Sequence, residues 1–369
     1  MKALYIGVYK DGTGWGKAAQ DYILSLDAAG IEVVPRALKL NNRQTRVPDR
    51  ILELERQSDK NCDVVIQHVL PHHMDYSGHF GKNIGLYVSE TSHFCLSSWP
   101  IHLNAMDDLW VPNSSMAKLA TKSNIKHSPH IVPHATDTEK FLGSYEYVLP
   151  EELKDRFVFY FIGEAVARKN LKALLIAFHS EFDGNENVGL LIKSTIPGLN
   201  DEQAKMEIEA LCAHVKDSLK IFPSRDSYIE ETIITEYMSE EELMNIHFSC
   251  DCFVMPSYGE AWCIPAFDAM GMGKTPIVNN AGGMCDFIDD SVGALISNRE
   301  EPVFGMLETF ADIYTGAENW WSIDILELRK KMREAYESDW GDKSEAGFDR
   351  AFEFSYYNVG KTMEEALNA

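Results

Sequence analysis

Hydrophobic positions along the chain fall into short runs separated by stretches of helical period or by turn residues. The first run, Ala3 to Tyr9, is followed by a glycine-rich turn, a helical stretch from Ala18 to Ala29, and a second short run from Ile31 to Val34. This order predicts a βαβ opening. Further apolar runs at 63–67, 84–88, 108–112 and 130–133 predict more strands, with helical or irregular segments between them. A second series begins with Phe157 to Ile162, a continuous apolar run of the kind found in a strand buried on both faces. Leu171, Leu174, Leu175 and Phe178 then recur at the spacing of one helix face. Runs at 188–192, 232–235, 252–255 and 275–278 supply further strands, and Ser239 with Glu242 predicts a capping box before the third of them.

Strands that alternate with helices imply parallel sheets covered on both faces. The expected architecture is α/β, with two doubly wound, Rossmann-like parallel-sheet domains facing across a cleft. The charged stretch from Gly143 to Arg156 reads as the linker. It divides the chain into 1–145, 146–347 and a helical tail, 348–369. A length of 369 residues, 45% hydrophobic, suits two folded domains.

Charge narrows the partners. Asp and Glu number 57 against 34 Lys and Arg, a formal net charge of −23. Such a field disfavours nucleic acid and anionic lipid surfaces unless a local basic patch overrides it. A small or neutral partner fits better. No apolar run approaches the roughly 20 residues of a membrane span, and the first run is interrupted by Lys10 and Asp11. Seven scattered cysteines with no Cys-x-x-Cys spacing point to a reducing compartment, the cytoplasm. His68, His72, His73 and His79 cluster in sequence, but Pro71 keeps His68 and His72 off one helix face, so loop histidines are expected and no metal.

The segment from Pro256 to Val278 is richest in chemistry. A strand ends at Met255, a loop carries Glu260, Pro265 pre-sets a first helical turn that places Asp268 inside the helix, and Gly271 and Gly273 end it. Ligands of open α/β sheets sit beyond the carboxyl ends of the strands, where both carboxylates fall. An ionised carboxylate only accepts hydrogen bonds and can bridge the neighbouring hydroxyls of a sugar or ribose. Taken alone, the pair reads better as a solvated acidic loop and helix face. Upstream, Gly163 to Asn170 joins a strand to a helix and carries Arg168 and Lys169, a loop and helix start suited to an anion. Lys193 lies near the end of the next apolar run. In the first half, Gly14 and Gly16 bring backbone and amide donors close to a ligand, although Lys17 and Arg36 break the pattern of a nicotinamide dinucleotide site.

The order strand, Pro-Ser-x-x-Glu, aromatic, Pro, acidic, Ala-Met-x-x-Gly, Pro-Ile-Val, then Asn279-Asn-Ala-Gly-Gly283 resembles the retaining family-four glycosyltransferases of GT-B fold. That resemblance implies that Glu260 approaches a donor sugar and that Asp268, one methylene shorter than the usual Glu, holds the nucleotide ribose. It also implies that Trp262, Cys263, Ile264 and Gly163 line the nucleotide site, and that Arg168 and Lys169 clamp the diphosphate. Glu164 stands where relatives often have Arg. The glycines at 14 and 16 would face the donor phosphates. Tyr87 to His93, Trp110 to Ser114 and Ile131 to Asp137 resemble acceptor-side strand ends, with Glu90 contacting donor or acceptor and His134 and Asp137 lining the crossing between domains.

The activity so implied is transfer of a sugar from a nucleotide-sugar donor to a small-molecule, glycan or lipid-linked hydroxyl acceptor, with retention of anomeric configuration and without a metal or other cofactor. No Asp-x-Asp occurs, and cations with helix-start amides would stabilise the departing diphosphate. Three other readings fit the same layout: a nucleotide-sugar epimerase, a catalytically degenerate nucleotide-sugar-binding protein, and a nucleic-acid base glycosyltransferase, the last disfavoured by the charge.

Overall fold

The structure, a computed structural model, describes residues 1–40, 44–307, 309 and 312–369. The chain forms two compact units.

The first unit contains β1 (Lys2–Gly7), α1 (Gly14–Ala28), β2 (Glu32–Ala37), α2 (Asp49–Glu55), β3 (Val64–His68), β4 (Lys82–Leu86), α3 (Trp99–Leu103), β5 (Asp108–Val111), α4 (Ser114–Leu119) and β6 (His130–Ile131). Its six strands lie in the order β2-β1-β3-β4-β5-β6, every neighbouring pair parallel. Pro35 falls within β2, opposite Tyr5, and is tolerated because β2 is an edge strand whose outer side needs no ladder donor. Helix α1 starts four residues earlier than its apolar period predicts. The Thr13 hydroxyl accepts from the Gly16 amide at 3.1 Å, so the glycine-rich turn is already the first helical turn.

The second unit contains β7 (Phe157–Glu164), α5 (Leu171–Glu181), β8 (Val188–Thr195), α6 (Asp201–Leu219), β9 (Glu231–Ile234), α7 (Glu240–Ser249), β10 (Cys252–Met255), α8 (Ile264–Gly271), β11 (Ile277–Asn279) and β12 (Ala294–Ile296). Its sheet order is β12-β11-β10-β7-β8-β9, again parallel between neighbours. Val158 to Phe161 are fully buried at its centre, and Leu174, Leu175 and Phe178 of α5 cover them. Ser239 and Glu242 make the reciprocal capping box at the start of α7. An antiparallel hairpin follows, β13 (Asn298–Pro302) with β14 (Asn319–Ile323), then α9 (Ile325–Glu337) and α10 (Gly341–Ala351).

The last helix, α11 (Tyr356–Asn368), belongs to the first unit and packs on α1. Val359, Met363 and Leu367 share a core with Tyr22, Ile23 and Leu26, and the Tyr356 hydroxyl donates to Asp21 at 2.8 Å. The units divide near 140 and 350, where 145 and 347 were expected from the sequence. They also differ from that division in one segment: residues 312–318, inside the hairpin, cluster with the first unit. There the Asp312 carboxylate accepts from the Ser98 amide (3.1 Å) and hydroxyl (3.3 Å), and the Tyr314 hydroxyl donates to Glu90.

Candidate active site

In the second unit, β7 and β10 are adjacent parallel strands, so the loops after them emerge at the same sheet edge. The first of these loops turns through Ala167–Lys169 and enters α5 from Asn170, a non-glycine residue in the left-handed region (φ 52°). Asn170 is fixed there partly by its side-chain amide, which donates to the Pro256 carbonyl at 3.2 Å. Arg168 accepts from the Tyr258 amide through its carbonyl (2.8 Å) and donates to the Gly259 carbonyl (2.7 Å). The two loops are thereby tied into one structure.

Glu260 ends up between the two cations. Its carboxylate lies 3.0 Å from Arg168 Nη1 and 2.8 and 2.9 Å from Lys169 Nζ, while Glu260 as a residue is 4% exposed. Burial alone would raise the Glu260 pKa, but the Lys169 and Arg168 charges and hydrogen bonds outweigh it and hold the carboxyl below its ordinary value. The carboxylate and both cationic side chains form a site almost closed to water. A second anion entering here meets two cationic side chains and the first amides of α5. Glu260, Arg168 and Lys169, expected from the sequence to meet at one pocket, lie in contact with one another.

The Glu260 loop is built against a third segment. Gly283 donates its amide to the Glu260 carbonyl at 2.8 Å. A Cβ at Gly283 would stand 2.0 Å from the Ala261 carbonyl oxygen, and one at Gly282 (φ 71°) would stand 2.4 Å from that of Glu260. Only glycine fits at either position. Asn279, fully buried at the end of β11, donates to the Ser257 and Trp321 carbonyls at 2.8 and 2.6 Å and accepts from Asn298 at 2.9 Å. Tyr258 stacks on Trp320 of β14, centroids 4.3 Å apart and planes within 9°. Residue types in this region were visible in the sequence, but the roles of Asn279, Gly282, Gly283 and Trp320 were not, since each depends on pairing across some twenty to sixty positions.

The other candidates occupy varied surroundings. Asp268 lies in α8 and is 8% exposed. Trp262 is buried against Phe267 and Phe287, with ring centroids 5.9 and 4.8 Å away, so its ring is part of the core. Cys263 holds the left-handed turn (φ 75°) that leads into α8, and burial pushes its thiol up to about 12. Ile264 is the first residue of α8. The Gly163 carbonyl accepts from the Ser194 hydroxyl at 2.8 Å. Lys193 lies within β8, 7% exposed, and Glu164 is exposed at the end of β7.

In the first unit, Gly16 is required by its own loop, since a Cβ there would stand 1.9 Å from the Asp11 carbonyl oxygen, whereas Gly14 faces open space. The Glu90 carboxylate accepts from the Tyr314 hydroxyl. His134 is buried beside Tyr22, as is His68, and burial lowers both imidazoles to about 3. The His68 Nδ1 is bonded to the Tyr5 hydroxyl at 2.7 Å, and the Trp99 indole donates to His72 at 3.2 Å, so these histidines have protein partners. Among the described residues no group of three or more His, Cys, Asp or Glu is arranged to hold a metal ion, and no helix is long and apolar enough to cross a membrane.

Two doubly wound parallel sheets in one chain, with charged loops at the strand ends of the second, define a two-domain α/β protein of GT-B fold. Solved structures agree in fold over the whole chain. A sucrose-phosphate synthase from Thermosynechococcus elongatus superposes with a TM-score of 0.65 and 15% identity, covering 100% of this chain and 98% of its own. Anabaena Alr3699/HepE in complex with UDP-glucose gives a TM-score of 0.63 at 10% identity, covering 100% and 99%. Residues 150–304, which lie within the second unit, match the family described as glycosyl transferases group 1. The human alpha-1,3/1,6-mannosyltransferase ALG2 is 25% identical over 203 residues, 52% of this chain, and the matched stretch spans under half, 46%, of that protein.

Proposed function

We propose that the chain is a glycosyltransferase whose second unit binds a nucleotide-sugar donor and transfers the sugar to a hydroxyl acceptor with retention of configuration. The carrying observation is the buried group of Glu260, Arg168 and Lys169, held by loops after two adjacent parallel strands. The family match of residues 150–304 supports it, as does the UDP-glucose in the Anabaena neighbour.

In this reading the donor diphosphate sits against Arg168, Lys169 and the start of α5. As the sugar–oxygen bond breaks, negative charge grows on the leaving phosphate. Two cations already oriented by Glu260 and Gly259 stabilise that charge with little reorganisation. No metal is then required. Glu260 accepts hydrogen bonds from the sugar hydroxyls, and Asp268 accepts from the ribose. The acceptor hydroxyl attacks the face the diphosphate leaves, giving its proton to a donor phosphate oxygen, and Glu90 contacts donor or acceptor. Seven free thiols suit the cytoplasm as the site of action.

The test is proton NMR of the product formed in the presence of EDTA from UDP-, GDP- and ADP-linked sugars with simple glycoside acceptors. Transfer with the donor's anomeric configuration supports the reading. An inverted product, or transfer abolished by EDTA and restored by magnesium, overturns the retaining or the metal-independent part respectively.

A further inference from the structure

Strand β7 ends at Glu164 and β10 at Met255, so neither the turn bearing Arg168 and Lys169 nor residues 256–260 are placed by the sheet ladder. Within the same unit, the hairpin of β13 and β14 supplies a support for both. Trp321 stands opposite Glu300 in the hairpin register. Its amide donates to the Tyr258 carbonyl at 3.0 Å, and its carbonyl accepts from Asn279 at 2.6 Å. An edge strand usually leaves such groups open to a further strand, whereas here the loop after β10 takes them.

Tyr258 connects this edge to the cations. Its own amide donates to the Arg168 carbonyl at 2.8 Å, and the Arg168 guanidinium donates back to the Gly259 carbonyl at 2.7 Å. Backbone and side chain of Arg168 are therefore both set by where residues 258 and 259 stand. A ring fixes that point. Tyr258 is half-buried and lies flat on Trp320, centroids 4.3 Å apart and planes 9° from parallel. Trp320 itself is 2% exposed, and its Nε1 is buried with no partner among the described residues. A buried N–H without an acceptor is a cost, so the indole serves here through its flat surface and not through its polar group. A second brace comes from the hairpin tip. Gly305 is in the left-handed region (φ 89°), and a Cβ there would stand 3.3 Å from the Ala167 Cβ, so the tip backbone lies against the residue before Arg168.

We propose that Trp320 is a positioning residue of the anion site: by holding the Tyr258 ring it fixes the Arg168 carbonyl and guanidinium, and the hairpin presets the turn from Ala167 to Lys169 before any ligand arrives. Trp320 acts through Tyr258 and Arg168, not by touching the ligand. That turn is three residues long, and a misplacement of about 1 Å is enough to lose much of a preorganised interaction. The proposal rests on the transferase reading for the identity of the ligand, while the bracing geometry is independent of it.

The experiment is hydrogen exchange read by mass spectrometry on the full chain, paired with calorimetric titration of UDP. Trp320→Leu is expected to speed exchange roughly tenfold or more in the peptides containing the Tyr258 and Trp321 amides. It is also expected to weaken UDP binding by roughly tenfold, the lower end of what loss of a supporting residue costs behind metal ligands. Trp320→Phe keeps a flat ring under Tyr258 and drops the unpartnered N–H, and is expected to restore both readings to wild type. Gly305→Ala presses on Ala167 from the tip without touching the stack, and is expected to weaken UDP binding in the same direction. A merely space-filling Trp320 predicts something else: exchange rising throughout the second unit, β7 and β8 included, with UDP affinity intact. That result overturns the proposal, as do wild-type exchange and affinity in Trp320→Leu, failure of Trp320→Phe to restore them, or wild-type UDP affinity in Gly305→Ala. If wild type binds no UDP while Trp320→Leu still frees the Tyr258 amide and Trp320→Phe restores it, the donor reading falls and the positioning role stands.

Discussion

Glu260→Gln is the perturbation whose outcome the geometry constrains most. The carboxylate is 4% exposed and touches both Arg168 and Lys169, whose side chains are 15% and 14% exposed, so solvent screens the group little. Glutamine keeps the shape and one acceptor oxygen but removes the charge, leaving two cations about 3 Å from a neutral amide. Breaking a buried ion pair from one side costs about 3–5 kcal/mol, and the retained acceptor puts this case near the lower end. For a unit of this size about 3 kcal/mol lowers Tm by roughly 6–12 °C. The same vacancy predicts a compensation, because a bound diphosphate supplies the missing negative charge. Differential scanning fluorimetry with and without UDP should therefore show Glu260→Gln melting well below wild type when free and gaining more from UDP than wild type gains. Equal melting of the free proteins, or equal protection by UDP, would refute the claim that Glu260 is the counter-ion of the diphosphate cations.

Three further expectations follow from the same structure. Gly283→Ala places a methyl group 2.0 Å from the Ala261 carbonyl oxygen, so the loop bearing Glu260 must move; donor affinity, read by calorimetry, should fall by at least tenfold, about 1.4 kcal/mol, while far-ultraviolet circular dichroism stays native. Arg168→Ala removes one of two cations from the leaving group and should lower kcat by roughly 10²–10³-fold in a coupled transfer assay. His68 and His134, depressed by burial to about 3 from an ordinary 6.5, take up protons only on unfolding across that window, so urea stability should rise with pH between about 3 and 6.5, and His68→Gln should flatten part of the slope.

Much of this was legible in the sequence where the signal is local. Continuous apolar runs located β7 and β10, Pro265 located the start of α8, and Ser239 with Glu242 located that of α7. The charged candidates Arg168, Lys169 and Glu260 fall on loops after strands, where ligands bind, and it was the family resemblance of the motifs around them that singled them out. What escaped is non-local. The β13 sequence, Asn-Arg-Glu-Glu-Pro, carries no apolar alternation and becomes a strand only by pairing with Asn319–Ile323. Trp262 lies inside the richest motif, yet its ring serves the core against Phe287. Gly16 stood out as a ligand-facing glycine, but the atom that forbids a side chain there is the carbonyl of Asp11.

Arg168, Lys169 and Glu260 are proposed to form one site for a sugar diphosphate. Thermal unfolding against a panel of nucleotide sugars tests it most directly, since a ligand at about 100 times its Kd adds roughly 2.7 kcal/mol. Protection by at least one nucleotide sugar, lost in Lys169→Met, is the predicted result. A panel that leaves wild type unshifted, or a shift that survives Lys169→Met undiminished, would contradict it.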